Sequence, residues 1–185
     1  MKVISGEKRG MRLTSPVDSK TRPTEGRVKE SIFDTLFLIK PNSAALDLFA
    51  GSGAIGIEFL SRGSDLCVFS DSERTNIKCI NDNLEHTKLK NKSKVYHGDF
   101  KRNLLNIENK INRKFDYIFI DPPYKYREYY HQALDLIKEL DLLNKDGIII
   151  MESKEVLDEK DFSDYNLFKE KRYGKIHVYY LNMGE

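Results

Sequence analysis

The sequence predicts an α/β fold: a doubly wound, mostly parallel sheet with an antiparallel C-terminal hairpin and a small basic N-terminal extension. Three observations carry this. Strand-like apolar runs alternate with amphipathic helical stretches from residue 44 to residue 151, the pattern of parallel βαβ units. Ile118-Phe119-Ile120 and Ile148-Ile149-Ile150 are apolar at consecutive positions, as in strands buried on both faces. Gly51-Ser52-Gly53-Ala54-Ile55-Gly56 follows a strand and opens a helix, the context in which G-x-G-x-x-G has structural meaning. The chain of 185 residues fits one domain with an appendage, divided into an extension at 1–40 (a short hairpin plus a helix) and a main domain at 41–185.

The elements follow in order. Lys2 to Ser5 and Met11 to Thr14 are extended segments paired around Gly6 to Gly10. Ser15 to Pro23 is loop. Thr24 is the expected N-cap of a helix over Arg27 to Leu38, where Val28, Ile32, Phe33, Leu36 and Phe37 share a face; Pro41-Asn42 ends it. Ala44 to Phe49 is a strand, Ala54 to Arg62 a helix stopped by Gly63, and Leu66 to Ser70 a strand. Glu73 to Leu89 is a helix with Ile77, Ile80 and Leu84 on one side. Strands at Lys94 to His97, Asp116 to Ile120 and Gly147 to Met151 alternate with helices at Phe100 to Asn109 and Glu128 to Asp141. Leu167 to Arg172 and Lys175 to Leu181 alternate like a hairpin joined at Tyr173-Gly174.

Composition narrows the function. No apolar run approaches the length of a membrane span, and the N-terminus lacks the apolar core of a signal peptide, so a cytoplasmic protein without a membrane partner is expected. Cys67 and Cys79 form no C-x-x-C pair and the four histidines have no ligand spacing; two reduced, buried thiols and no metal are expected. The net charge is only +2, but residues 1–30 hold eight basic against four acidic side chains. A basic edge on a nearly neutral body suits a polyanion. Its candidate contacts are Lys8, Arg9, Arg12, Arg22, Thr24 and Arg27; a solvated charged flank is the alternative.

The Gly-rich turn indicates a nucleotide-like ligand. Gly51 permits the tight turn, Gly53 the close approach of a ligand to backbone, and Gly56 close packing of helix on strand. Asp71, about 20 residues on, ends the next strand and suits two ribose hydroxyls. Asp47, in Asp47-Leu48-Phe49-Ala50-Gly51, would repel a pyrophosphate but attract the ammonium of a methionine moiety. Asp99 follows the third strand, where it could meet an adenine amine while Phe100 packs on the ring. These features favour S-adenosylmethionine over a dinucleotide. Each acid also has a plain structural alternative as a helix N-cap.

Asp121-Pro122-Pro123-Tyr124 ends the fourth strand on the same rim. An exocyclic amine is a poor nucleophile because its lone pair is delocalised into the ring. The Asp121 carboxylate and the Pro122 carbonyl could take its two hydrogens and turn the lone pair toward a methyl group. The prolines stiffen that geometry, and Tyr124 would stack on the base for about 1–3 kcal/mol. That offsets the few kcal/mol needed to unstack a base. A strand-ending turn is the bland alternative.

Taken together these residues resemble the class I S-adenosylmethionine-dependent methyltransferases. With Ile4-Ser5-Gly6, Arg9-Gly10, Arg22-Pro23-Thr24 and Arg27-Val28-Lys29-Glu30-Ser31-Ile32-Phe33, the chain is similar to the RsmD family of 16S rRNA guanine-N2 methyltransferases over essentially its whole length. The resemblance implies a Rossmann-like fold and methyl transfer to N2 of guanine 966 of 16S rRNA, presented by an assembling small-subunit particle. The catalytic residues would be Asp121, Pro122 and Tyr124; the cofactor residues Asp47, Phe49, Gly51, Gly53, Asp71, Asp99 and Phe100. Family members commonly carry Glu where this chain has Asp71, so Glu73 is a candidate assistant. A monomer is expected. An amino-methylating DNA enzyme (adenine N6 or cytosine N4) shares both motifs but usually carries a target-recognition domain, for which the spacing leaves no room. A protein-glutamine methyltransferase favours Asn before Pro-Pro. A non-catalytic RNA-binding module of the same fold and a NAD-dependent dehydrogenase are the remaining alternatives.

Overall fold

The computed structural model describes residues 1–16, 23–162 and 164–184, with only the backbone at 23–25 and 159. Its elements are α1 (Pro23–Leu36), β1 (Ala44–Asp47), α2 (Ala54–Ser61), β2 (Leu66–Asp71), α3 (Arg74–Thr87), β3 (Ser93–His97), α4 (Phe100–Lys110), β4 (Phe115–Ile120), α5 (Glu128–Glu139), β5 (Leu143–Ser153), β6 (Tyr165–Tyr173) and β7 (Ile176–Met183). The seven strands form one sheet in the order β3-β2-β1-β4-β5-β7-β6. β3, β2, β1, β4 and β5 pair in parallel, and β7 pairs antiparallel with both β5 and β6. This is the doubly wound class I methyltransferase sheet with the predicted C-terminal hairpin. Chain order reverses at β1, whose neighbours are β2 and β4; a crevice opens there beyond the carboxyl ends of the strands.

The sheet separates two apolar layers, because successive strand residues point to opposite faces. On one face Ala45, Tyr117, Phe119 and Ile150 pack with Phe59 and Leu60 of α2 and Ile80 and Leu84 of α3. On the other, Leu46, Ile118, Ile120 and Met151 pack with Leu104 of α4 and Leu134 of α5. The continuous apolar runs of β4 and β5 are thereby explained. The two cysteines are buried and unbridged, as expected.

The N-terminal segment is docked on the first layer. Val3 N–H donates to the Met11 carbonyl at 2.9 Å and Gly10 N–H to the Val3 carbonyl at 2.9 Å, and Lys2 bridges Arg12 antiparallel. Val3, Leu13, Val28, Ile32 and Phe33 join the same core as α2. The pin is Glu58, a wholly buried carboxylate on α2. It accepts from the Ile4 and Ser5 amides, each at 2.9 Å, from Lys29 Nζ at 3.0 Å and from Arg62 Nε at 2.9 Å. Lys29 in turn donates to the Lys2 carbonyl at 2.8 Å. Burial lowers the Lys29 pKa from its ordinary value, against the opposing pull of Glu58.

Several expected boundaries are corrected. Thr24 is not an N-cap: α1 begins at Pro23, whose fixed φ suits a first helical position, so Thr24 lies within the first turn and Pro23 is not loop. The helix stops at Leu36 rather than Leu38, since Phe37 turns left-handed at φ 59°, ahead of Pro41-Asn42. β5 starts at Leu143, four residues before Gly147. The hairpin turn is Gly174-Lys175 rather than Tyr173-Gly174, because Tyr173 still pairs with Ile176 and Gly174 takes the positive φ of 62°. Arg22 and most of the 15–23 loop lie outside the described residues.

Candidate active site

The turn after β1 is built from sequence-specific contacts. Gly51 and Gly53 adopt positive φ, at 56° and 75°, conformations that glycine takes without steric cost. Gly56 is needed for proximity: a Cβ there would lie 2.2 Å from the Phe69 ring and 2.7 Å from Cys67 Sγ. Asp47 reaches across and accepts the Gly56 amide at 3.0 Å. It is buried, and loss of hydration raises its carboxyl to about 7, with the Asp71 charge adding and the Gly56 bond opposing.

Asp71 braces the same turn. It accepts the Gly51 amide at 2.8 Å, the Glu73 amide at 2.9 Å and both contacts from Asn76 Nδ2 at 3.1 Å. Its hydrogen-bonding capacity is therefore largely engaged within the chain. Asp99 caps α4, accepting the Lys101 amide at 2.9 Å and the Arg102 amide at 3.5 Å. Phe100 is buried within an aromatic cluster, 5.2 Å from Phe49 and 4.9 Å from Tyr129 between centroids, and Tyr129 stacks on Tyr126 at 4.7 Å.

A cavity of about 450 Å³ occupies the crevice between β1 and β4. Asp47, Phe49 and Gly51 line one part of it, and Asp121 and Tyr124 another. Five of the sequence-predicted site residues thus share one space. Gly53, Asp71, Asp99, Phe100 and Pro122 are not on its wall; the first four shape the turn, the α4 cap and the aromatic support, and Pro122 is buried beneath the rim. Lys154 Nζ sits 3.5 Å above the Tyr124 ring, a cation–π contact.

Other cavity residues escaped sequence reasoning, Asn76, Ser52, Lys29 and Glu152 among them. Asn76 and Ser52 border the turn, and neither type signals a ligand by itself. Lys29 comes from α1, which no local motif links to the crevice. Glu152 is the last residue but one of β5, and its signal was available: with Asp47, Asp71, Asp99 and Asp121 it is the fifth acid at or next to a strand end on this rim.

A second, larger groove of about 930 Å³ runs along the N-terminal segment, lined by Lys2, Arg9, Arg12 and Arg27. Met1 and Lys29 line both spaces, so the basic groove abuts the cavity. Lys8 is outside the groove wall; its amide donates to Ser61 Oγ at 3.0 Å and its Nζ lies 3.8 Å from Glu7. Among the described residues no cluster of His, Cys, Asp and Glu could hold a metal ion, and no helix is long and apolar enough to cross a membrane.

A nucleoside-sized crevice behind a Gly-rich turn, faced by an Asp-Pro-Pro-Tyr rim, defines a class I methyltransferase fold. Solved structures agree. An Escherichia coli protein described as "Putative methyltransferase yhhF" superposes with a TM-score of 0.82 at 26% identity, covering 100% of this chain and 99% of that one. A conserved hypothetical protein of Streptococcus pyogenes does so with 0.73 at 30% identity, covering 84% and 96%. The family model described as Conserved hypothetical protein 95 matches residues 1–182. Among relatives, a Bacillus subtilis protein named "Putative rRNA methyltransferase YlbH" is 39% identical, with 94% of each chain covered. The Haemophilus influenzae ribosomal RNA small subunit methyltransferase D is 29% identical, covering 94% of this chain and 89% of its own. The chain belongs to this family, that of ribosomal RNA small subunit methyltransferase D, RsmD.

Proposed function

We infer that this chain transfers a methyl group from S-adenosylmethionine to the exocyclic N2 of a guanine in 16S rRNA. The observation that carries the reading is the single cavity that Asp47, Phe49 and Gly51 share with Asp121 and Tyr124. Its donor set fits the cofactor: a buried carboxylate with a raised pKa gains from a cationic partner, and open backbone at Gly51 admits an adenosyl moiety. When bound, S-adenosylmethionine supplies an electrophilic methyl on a sulfonium, so transfer breaks a carbon–sulfur bond, forms a carbon–nitrogen bond and releases one proton from the nitrogen.

The chain's own residues position the acceptor. Asp121 takes a hydrogen of the amine and aims the nitrogen lone pair into the cavity. Tyr124 stacks on the extruded base, with Lys154 holding the far side of its ring. A good leaving group makes a strong base unnecessary, so catalysis rests on proximity and orientation. Residues 1–40 serve as the RNA-facing extension and 41–185 as the transfer domain. This is a division of labour rather than of packing, since both share one core. One copy carries both parts of the cavity, so a monomer suffices. The cytoplasm, where small-subunit particles assemble, is the expected place of action.

Labelled methyl should transfer to small-subunit particles lacking the modification. Asp121→Ala should lower turnover by about 100-fold or more while donor binding stays within a few fold. An equal loss of donor binding would make Asp121 a cofactor or structural residue. Transfer to duplex DNA in preference to the particles would reassign the substrate.

A further inference from the structure

We propose that Glu152 is the residue that selects guanine over adenine and cytosine, by accepting the hydrogen of guanine N1 beside the amine held by Asp121. The proposal rests on the methyltransferase reading and adds the basis of base choice to it.

Strand register brings the two carboxylates together. β4 and β5 are parallel, with Phe119 opposite Ile150 and Ile120 opposite Met151. One step beyond that last pair lie Asp121 and Glu152, at neighbouring carboxyl ends. Alternation sets their side. Phe119 and Ile150 belong to the layer beneath the crevice, Ile120 and Met151 to the opposite layer, so the next residues return to the crevice side. Both line the same cavity, with Tyr124. The Glu152 backbone is held from two sides: Tyr130 Oη donates to its carbonyl at 2.6 Å, and the residue pairs with Val178 of β7. A side chain on a central, doubly paired strand is a firmer measuring point than one on a loop.

One carboxylate is enough to orient any exocyclic amine, because adenine, cytosine and guanine all present an NH₂ donor. The ring nitrogen next to that amine separates them. In guanine, N1 carries a hydrogen and donates. In adenine N1 and in cytosine N3 it is a bare lone pair. A second carboxylate, which only accepts when ionised, forms a hydrogen bond with the first and meets lone pair with lone pair in the others. Rejection of an analogue that leaves a buried polar group unpaired can reach roughly 10⁴-fold, far beyond what shape alone supplies. The adjacent pair Asp121 and Glu152 therefore matches two neighbouring donors on guanine's N1–N2 edge, one on N2 and the one on N1.

The test uses small subunits reconstituted with rRNA that carries either guanosine or 2-aminopurine riboside at the modified nucleotide. 2-Aminopurine keeps the reactive 2-amino group but lacks the N1 hydrogen. The wild-type chain should methylate guanosine particles with a kcat/KM at least about 100-fold above the 2-aminopurine particles. Glu152→Gln, whose amide can donate to a bare N1, should narrow that ratio to about tenfold or less, losing on guanosine and gaining on 2-aminopurine. Equal use of the two substrates by the wild type overturns the proposal, and this comparison needs no variant to fold. An unchanged ratio in Glu152→Gln, with lower thermal stability or weaker donor binding, makes Glu152 structural. Absence of transfer to guanosine particles by the wild type overturns the methyltransferase reading, and this inference with it.

Discussion

Burial lifts the Asp47 carboxyl to about 7, chiefly by cutting it off from water. An unfolded Asp ionises near about 3.9, so the native state holds a proton more tightly than the unfolded chain. The sign follows: this group's contribution is most favourable below about pH 4 and is lost as pH rises toward 7, by an amount on the order of a few kcal/mol. Asp47→Asn keeps an oxygen for the Gly56 amide but removes the titration. Denaturation midpoints measured from pH 5 to 8 should therefore fall less steeply in Asp47→Asn than in wild type, and parallel slopes would sink the assignment. The variant should also bind S-adenosylmethionine more weakly, since no anion remains for the ammonium. The nearby glycines separate two kinds of constraint. Gly56→Ala drives a methyl into the Phe69 ring and should cost about 1–3 kcal/mol or more through overpacking. Gly51→Ala meets nothing within 4 Å and should cost only about 1–2 kcal/mol for its left-handed backbone. Urea melts of the pair would distinguish them. At this scale the glycine spacing was legible because the motif encodes geometry. The duties of Asp71 and Asp99 were less so: a strand-end acid serves ligand, turn or cap with the same letters, and only in the fold does Asp71 grip Gly51 and Asp99 cap α4.

Among the elements, α2 does more than follow a Gly-rich turn. Its Glu58 gathers two backbone amides and two cations from the N-terminal segment, α1 and its own C-terminal end. Removing one partner of a buried ion pair leaves the other uncompensated, at a cost of about 3–5 kcal/mol. Glu58→Ala should thus lower the unfolding free energy by about that amount, whereas Lys114→Ala, which breaks an exposed pair with Asp141, should change it by less than about 1 kcal/mol. Chemical denaturation of the two variants checks the contrast. Glu58 was invisible in the sequence because its partners lie more than 50 residues away for Ile4 and Ser5, and nothing local marks a glutamate on an apolar helix as a hub. The strands and helices themselves were legible from periodicity, since burial on one or both faces imposes it. Their ends were not. Phe37 belongs to the apolar face by sequence, yet it leaves the helix in a left-handed turn and stands 81% exposed. β5 begins at Leu143 because pairing with Phe115 of β4 recruits residues whose own composition is polar.

For the molecule as a whole, the question is how the sheet domain and its basic N-terminal groove together meet a large RNA. The basic groove and the cavity share Met1 and Lys29, so on the proposed reading a strand lying along Arg9, Arg12 and Arg27 would end where a base enters. Arg12 and Arg27 are exposed, and neither belongs to an ion pair with a described acid, which leaves their charge for phosphate. The excess of positive charge in residues 1–30 was visible in the sequence, but its concentration into one groove needed the Lys2–Arg12 bridge and the docking of α1. Phosphate contacts release counterions, so each one lost should reduce the slope of log affinity against log salt by about one. Arg12→Ala with Arg27→Ala should therefore weaken binding to small-subunit particles and flatten that slope by about two, with donor affinity unchanged. Under saturating particles turnover should recover, because on the proposed reading the arginines position the RNA and do not touch the reacting nitrogen. Filter-binding across a salt series, paired with single-turnover methylation, decides it. An unaltered slope would move these arginines out of the RNA path and leave the cavity rim as the sole determinant of substrate choice.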